Sequence, residues 1–243
     1  MILLRSAAFN LFFFGTTAVL TIVAVAARAN SPASVLRYAR LWARTIIWGL
    51  RMICRIRVDV TGIENLPSGP VIVASAHQSA FDTLVWLTLV PRCCYVLKQE
   101  LLSIPLFGGL IRKSGMIAID RAKGAGAVRA LLRGAARAKA EGCQIIIFPE
   151  GTRVSGQNAH PLQGGVAAIA SRTGLPVVPV ATDSGRYWGR RAFQKRPGTI
   201  RVVIRPALSS TLPRDEMMRA LAEAIRLSGR SGAEPMPGPG GAI

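Results

Sequence analysis

Acidic residues, histidines and cysteines are all scarce in this sequence. Asp and Glu total 12 against 31 Lys and Arg, which gives a formal net charge of +19. Two histidines and four cysteines without a CxxC pair argue against a zinc site of ordinary spacing. The cysteines therefore indicate reduced thiols rather than a disulfide framework.

Three common functional motifs are also absent. The sequence has no GxSxG, HExxH or Walker A pattern, which counts against serine hydrolases of that type, zinc proteases and P-loop NTPases. Half of the residues are hydrophobic, which excludes a disordered chain and is ample for a packed core. The positive excess predicts an anionic partner: nucleic acid, anionic lipid headgroups or a phosphorylated substrate.

Residues 7–27 form an uncharged stretch whose only strongly polar side chain is Asn10. Its length matches the roughly 20 residues that a helix needs to cross a bilayer. A secretory signal peptide is the alternative, because Ala24-Val25-Ala26 could serve as a cleavage site. A retained anchor, or a hairpin that re-enters the membrane with the second helix, is favoured by the arginines that follow: Arg28, Arg37, Arg40 and Arg44. We therefore expect the protein at the inner (cytoplasmic) membrane, with its catalytic domain on the cytosolic side.

Residues 35–55 have the pattern of a basic amphipathic helix. Five arginines fall within an arc of about 60° on a helix: Arg37, Arg40, Arg44, Arg51 and Arg55. Apolar residues such as Ile46 and Leu50 lie away from that arc, and Trp42 and Trp48 are included. This pattern favours a helix lying in a membrane interface. The alternative is a surface helix packed on a soluble core, with its arginine face in solvent.

From residue 56 onward, short apolar runs alternate with helical patterns. The runs predict strands at 71–76, 94–98, 116–120, 145–148, 177–181 and 200–204. Helices are predicted at 82–89, 126–140, 164–172 and 213–227. The alternation predicts an α/β domain with a mostly parallel central sheet flanked by helices. We expect an N-terminal membrane segment over 1–55, this domain over 56–227 and a disordered tail over 228–243.

A histidine and an aspartate follow the strand predicted at 71–76. His77 comes directly after it, and Asp82 opens the next predicted helix. A histidine can take a proton near neutral pH, and a nearby carboxylate can hold its ring in one tautomer. On spacing alone, such a pair is more often structural than catalytic.

A second group of functional residues follows the strand predicted at 145–148: Glu150, Gly151, Thr152 and Arg153. The glycine lets backbone amides approach an anion, and the threonine and arginine can bind phosphate. Arg121 and Lys98 end two further predicted strands. Each basic residue by itself is explained by a solvated strand end. Several such ends meeting at one edge of a parallel sheet favour a joint anion site.

Four short blocks of the sequence carry a family resemblance: 77–82, 115–121, 148–153 and 177–181. In order and approximate spacing they resemble the four blocks of glycerolipid acyltransferases, and the bacterial 1-acyl-sn-glycerol-3-phosphate acyltransferases above all. The similarity spans roughly residues 62–207. It implies transfer of a fatty acyl group from acyl-CoA or acyl-carrier protein to lysophosphatidic acid, giving phosphatidic acid. It implies no metal and no tightly held cofactor.

The resemblance also implies residue roles. His77 would be the general base that deprotonates the acceptor hydroxyl, without an enzyme-bound acyl intermediate, and Asp82 would orient and stabilise it. The glycerol-phosphate site would be shaped by Arg121, Glu150, Gly151, Thr152 and Arg153, with Lys98 as a further phosphate contact. Residues 177–181 would support the acyl-donor side or the core.

The sequence departs from the family at Ala76, where many relatives carry a polar residue, and at Gln163, where a lysine often stands. These departures leave the donor and the acceptor open, so a different lysolipid such as lyso-ornithine lipid could be the acceptor. The sequence also leaves open a catalytically silent lipid-binding protein and a His–Asp hydrolase of thioesters.

Residues 186–196 interleave basic and aromatic side chains. Such a segment can bind single-stranded nucleic acid, contact an anionic bilayer or form an ordinary exposed loop. The lipid context favours membrane contact or a plain loop over nucleic acid.

Overall fold

The computed structural model describes residues 1–27, 31–154 and 161–226. Its strands are β1 (Ile56–Thr61), β2 (Val71–Ser75), β3 (Cys93–Lys98), β4 (Ile117–Ile119), β5 (Gln144–Ile147), β6 (Val177–Thr182) and β7 (Gly198–Ile204). They form one sheet in the order β1-β7-β6-β2-β5-β3-β4. Neighbouring strands pair parallel except β6 and β7, which pair antiparallel. The predicted α/β class with a mostly parallel sheet is confirmed.

Helices cover both faces of this sheet. They are α1 (Ile2–Ala26), α2 (Pro32–Cys54), α3 (Asp82–Leu89), α4 (Phe107–Lys113), α5 (Ala125–Ala140), α6 (Gly165–Thr173), α7 (Ser184–Tyr187) and α8 (Arg214–Ala224). Val71 and Val73 pack with α2 and α3, whereas Ile72 and Ala74 pack with α5, α6 and α8. Burial on both faces explains why β2 has a continuous apolar sequence.

Three elements were not predicted: β1, α4 and the short helix α7. In β1, three residues that are more buried (Ile56, Val58 and Val60) alternate with the exposed residues Arg57 and Asp59. The strand therefore lacks the continuous apolar run of an inner strand. It lies at the edge of the sheet beside β7. All of the strands and helices that were predicted are present, with their ends displaced by no more than a few residues. Residues 228–243, where the sequence predicts disorder, lie outside the described residues.

The four cysteines are free, and all but Cys143 are buried. Cys93 and Cys94 are consecutive in β3, so their side chains enter the two different cores. Burial raises the pKa of the Cys94 thiol to about 12 and that of Cys54 to about 11. These thiols are therefore protonated, weakly reactive packing residues.

Helix α1 is 25 residues long and is apolar enough, by length and composition, to cross a membrane. It begins five residues before the predicted stretch and includes Arg5. Large apolar side chains on much of its surface are exposed, among them Leu11, Phe14 and Ile22. The helix packs along α2, where Gly49 leaves room for the Phe12 ring.

The structure of α2 differs in part from the predicted interfacial helix. The helix forms and most of its arginines are exposed, but Ile46 and Leu50 are fully buried in the core shared with α3. The apolar face therefore packs on protein, because α2 is the cover for this side of the sheet. Arg40 also turns inward and donates to the carbonyl of Pro91. A narrower exposed strip remains beside the arginines: Leu41, Trp48 and Met52.

A buried lysine attaches α1 to the α/β domain. Lys195 is 3% exposed, and its ammonium group donates to Asn10 of α1 and to the carbonyl of Phe193, the latter at 2.9 Å. It also lies 5.7 Å from the Phe9 ring centroid and 5.6 Å from that of Trp188. The Lys195 amide donates to the Ser6 hydroxyl at 2.9 Å. Asn10, the one strongly polar side chain of the predicted stretch, therefore has a partner in the domain.

We expect Lys195→Met to reduce the free energy of unfolding by about 1–3 kcal/mol, because it leaves the Asn10 oxygen and a carbonyl without their donor. Methionine keeps the apolar stem between the aromatic rings, so packing is largely retained. Urea unfolding in detergent measures the change. Lys123→Met, at an exposed lysine with only a surface pair to Asp120, should change it by less than about 0.5 kcal/mol. Equal effects would show that the Lys195 bonds contribute little.

Candidate active site

The carboxyl ends of the parallel strands bring the predicted site segments together. β2 and β5 are neighbours, so the residues that follow them lie side by side at one edge of the sheet. The amide of His77 donates to Glu150 Oε1 at 3.2 Å, and the amide of Val154 donates to the carbonyl of His77 at 2.8 Å. These two bonds join the segment after β2 to the segment after β5.

Asp82 organises the turn between β2 and α3. Its Oδ2 accepts the amides of Gln78 and Ser79, each at 2.7 Å, and lies 3.4 Å from His77 Nδ1. The carboxylate is 1% exposed. The predicted contact between His77 and Asp82 is therefore present, and the turn shortens the five-residue separation as the sequence requires. A proton on Nδ1 facing this carboxylate leaves Nε2 free to accept one.

The His77 ring is also held by an aromatic stack. Its centroid lies 4.0 Å from that of Phe148, with 18° between the ring planes, and Phe148 stacks in turn on Tyr95. The Tyr95 hydroxyl donates to the carbonyl of Thr83 at 2.9 Å. The imidazole is thus positioned by a carboxylate at one nitrogen and by a ring on one face.

A cavity of about 1490 Å³ opens in front of His77. Its apolar walls include Leu20 and Ala24 of α1, Trp42 of α2 and Ile111 of α4. Its basic lining residues are Lys98, Arg121, Arg153, Arg190, Arg191 and Arg214, and the described residues that line it include no Asp or Glu. One space therefore joins the histidine, a cationic region and apolar walls that reach the N-terminal helices.

Six of the eight predicted site residues line this cavity: His77, Lys98, Arg121, Gly151, Thr152 and Arg153. Asp82 and Glu150 are buried behind it. The carboxylate of Glu150 accepts the His77 amide and so supports the histidine segment. Its role in shaping the substrate site stays a prediction.

Arg121 is placed against the segment after β5 by a glycine. Its Nη1 donates to the carbonyl of Gly151 at 2.6 Å. Gly151 has a φ of +69°, and a Cβ at this position would lie 2.5 Å from the same guanidinium nitrogen. Only a residue without a side chain allows both the turn and this close approach.

Arg153 lies between charges of both signs. Burial is the main cause that lowers the pKa of its guanidinium, and the charge of Arg190 adds to this effect while Asp82 opposes it. The arginine nevertheless remains protonated at neutral pH. Its surroundings identify it as a half-buried cation directed at the cavity.

Comparison with known proteins gives the family. The acyltransferase family model matches residues 57–183, slightly more than half of the chain. A 1-acyl-sn-glycerol-3-phosphate acyltransferase of Pseudomonas aeruginosa is 38% identical over 182 residues, which cover 75% of this chain and 70% of that protein. The chain belongs to the acyltransferase family.

More distant comparisons agree with this membership. The human 1-acyl-sn-glycerol-3-phosphate acyltransferase alpha is 27% identical over 212 residues, covering 82% of this chain and 75% of that protein. The crystal structure of the acyltransferase PlsC from Thermotoga maritima shares the fold with a TM-score of 0.75. The two sequences are 24% identical, and the structural match covers 93% of this chain and 95% of the PlsC chain. This likeness therefore includes α1 and α2 as well as the sheet.

All eight predicted site residues of this acyltransferase lie inside the matched region, and their roles stay predictions. Sequence reasoning missed the Phe148 stack and the cavity positions of Arg190, Arg191 and Arg214. Phe148 lies inside one of the four blocks, so its position in the sequence could have indicated a place at the site. The three arginines follow the blocks in sequence and meet them only through the fold.

We expect Gly151→Ala to reduce acyltransferase activity by about tenfold or more, because a Cβ would displace Arg121 and weaken a charge-assisted contact. Gly174→Ala is the matched control. Gly174 has the same φ of +69° but no atom within 4 Å of the added Cβ. Both variants should lose about 1–2 kcal/mol of stability from the left-handed conformation. Thermal unfolding and activity are measured together, and equal activity losses would contradict the placement of Arg121.

Proposed function

We propose that this enzyme transfers a fatty acyl group to the sn-2 hydroxyl of 1-acyl-sn-glycerol-3-phosphate, giving phosphatidic acid. The observation that carries the proposal is the single cavity that joins His77, a cationic region and long apolar walls. The acceptor needs all three, since it has a reacting hydroxyl, a phosphate and an acyl chain. The names of the P. aeruginosa and human relatives support the same substrate.

In this proposal His77 is the general base. Its Nε2 takes the proton of the acceptor hydroxyl while the oxygen attacks the thioester carbonyl carbon. Collapse of the tetrahedral intermediate breaks the carbon–sulfur bond, and the thiolate leaves with the proton returned from the imidazolium. Asp82, close to Nδ1, stabilises that imidazolium and keeps the ring in the required tautomer. The acyl group passes directly from donor to acceptor, and no acyl-enzyme forms.

Phosphate binding in this proposal uses the cationic lining nearest to the histidine. Arg121 and Arg153 present guanidinium groups that bind phosphate oxygens in pairs, and Thr152 offers a hydroxyl. Lys98 adds a further positive charge at the lining of the same cavity. A phosphate held here by its oxygens leaves the glycerol hydroxyl facing His77. The acyl donor is acyl-CoA or acyl-carrier protein, and neither requires a metal or a bound cofactor.

We also propose that the enzyme lies on the inner membrane with its α/β domain on the cytosolic side. The exposed apolar surface of α1 and the strip of Leu41, Trp48 and Met52 on α2 would contact lipid. Exposed arginines beside this strip, such as Arg44 and Arg51, would meet anionic headgroups. Both lipids of the reaction then reach the cavity, whose walls include these two helices.

We expect His77→Ala to abolish measurable acyl transfer and Asp82→Asn to reduce the rate by about 10²–10⁴-fold, because each removes part of the general base. The assay follows labelled acyl-CoA with lysophosphatidic acid, lyso-ornithine lipid and glycerol-3-phosphate offered separately. Asp59→Asn, at an exposed aspartate on β1, is the charge-matched control and should retain full activity. A His77→Ala protein that is folded and active would refute the mechanism, and a preference for lyso-ornithine lipid would refute the acceptor.

The membrane placement has its own test. We expect replacing Arg37, Arg44 and Arg51 together by glutamine to lower binding to anionic vesicles by about tenfold or more, since each basic residue near such a surface contributes about 1 kcal/mol. The control replaces three exposed arginines on the helices of the opposite sheet face: Arg133, Arg172 and Arg219. It removes the same charge, so equal losses in vesicle sedimentation would contradict an interface at α2.

A further inference from the structure

Residues 189–192 form a tight turn whose two central residues are both arginines. The amide of Ala192 donates to the carbonyl of Gly189 at 3.1 Å, which closes the turn around Arg190 and Arg191. Arg191 has a φ of +54°, at a position where such turns favour glycine or asparagine. A long charged residue therefore occupies a conformation that costs free energy, as is common at functional sites. We refer to residues 189–192 as the arginine turn.

The arginine turn lies at the active-site cavity. Both Arg190 and Arg191 line it together with His77 and Arg153. The residues before the turn contact the catalytic segment directly, since the amide of Gly185 donates to Gln78 Oε1 at 3.2 Å. Gln78 is the residue after His77. The turn is thus placed next to the reacting centre by the same edge of the sheet.

The two arginines of the turn have no acidic partner among the described residues. The nearby carboxylate of Asp183 is already bound, since it accepts the Arg201 amide at 2.8 Å and its Nε at 2.9 Å. Arg190 is instead close enough to another cation to repel it, since its positive charge contributes to lowering the pKa of Arg153. Like charges that face one cavity repel, and an anion bound between them would relieve that repulsion.

The base of the turn is rigid. Lys195 donates to the carbonyls of Ala192 and Phe193 at 3.4 and 2.9 Å, and the Arg196 amide donates to the carbonyl of Tyr187 at 2.8 Å. Trp188, just before the turn, packs edge-on against Phe9 and Phe13 of α1. Because the turn is held at both ends in this way, little backbone entropy is lost when its side chains bind a ligand.

We propose that Arg190 and Arg191 bind the phosphate of the lysophospholipid acceptor together with Arg153, so that they determine specificity for a phosphorylated acceptor. This inference rests on the proposed function. The phosphate carries between one and two negative charges near neutral pH, and guanidinium groups bind such an oxyanion through paired hydrogen bonds. Residues 186–196, which the sequence assigned to a membrane surface or a plain loop, therefore contribute to substrate binding through the turn.

The test compares arginines from the same segment. All four arginines are exposed, but Arg190→Gln and Arg191→Gln remove charges that line the cavity, whereas Arg186→Gln and Arg196→Gln remove charges that do not. All four proteins are purified at full length in neutral detergent, and thermal unfolding confirms that each is folded. Acyl transfer is measured with lysophosphatidic acid and with monoacylglycerol, which differ by the phosphate. Inhibition by inorganic phosphate gives a second readout.

We expect each cavity variant to raise the KM for lysophosphatidic acid by about tenfold, the effect of one charge-assisted contact, with kcat changed by less than about twofold. The KM for monoacylglycerol should not change, and inhibition by phosphate should weaken. Arg190→Lys should fall between wild type and Arg190→Gln, because it keeps the charge without the paired hydrogen bonds. The control variants should keep the wild-type KM for both acceptors.

Three results would overturn the inference. A KM for lysophosphatidic acid equal to that of the control variants would leave the proposed function standing and refute the role of the turn. Loss of binding to anionic vesicles, with an unchanged KM in neutral micelles, would show that the turn binds bilayer headgroups instead. A wild-type enzyme that does not acylate lysophosphatidic acid would refute the proposed function itself, and the inference with it.

Discussion

The buried carboxylate of Asp82 is the interaction on which the site depends. One oxygen receives two backbone amides and faces His77 Nδ1, so it shapes the turn from β2 into α3 and orients the imidazole at the same time. Burying a carboxylate costs free energy, and the two amides offset part of that cost at this oxygen. The turn, the first residues of α3 and the orientation of the histidine ring therefore all depend on this one carboxylate.

The parallel sheet extends this local arrangement into a complete site. Because β2, β5 and β6 are parallel neighbours, the segments that follow them meet at one edge. Glu150 supports the His77 backbone from one side, and Gly185 contacts Gln78 from the other. The walls of the cavity come from elsewhere, since α1 and α2 contribute much of its apolar lining.

Most of the sheet and the contact between His77 and Asp82 could be predicted from the sequence because local patterns carry that information. Inner strands such as β2 have continuous apolar runs, and the four blocks together, in their order and spacing, indicate the family, although the block at residues 77–82 alone does not. The edge strand β1 was missed because its pattern alternates, and the positions of Arg190 and Arg191 at the cavity were missed because they depend on contacts between distant segments. The apolar face of α2 looked like a membrane surface, since burial against protein and burial in lipid require the same residues.

The cavity has a two-part origin in the chain. The matched acyltransferase region, residues 57–183, holds His77 and the residues around it, whereas Leu20, Ala24 and Trp42 of the apolar wall precede that region. Substitutions along the wall can alter the space for a hydrocarbon chain while the reacting groups stay intact.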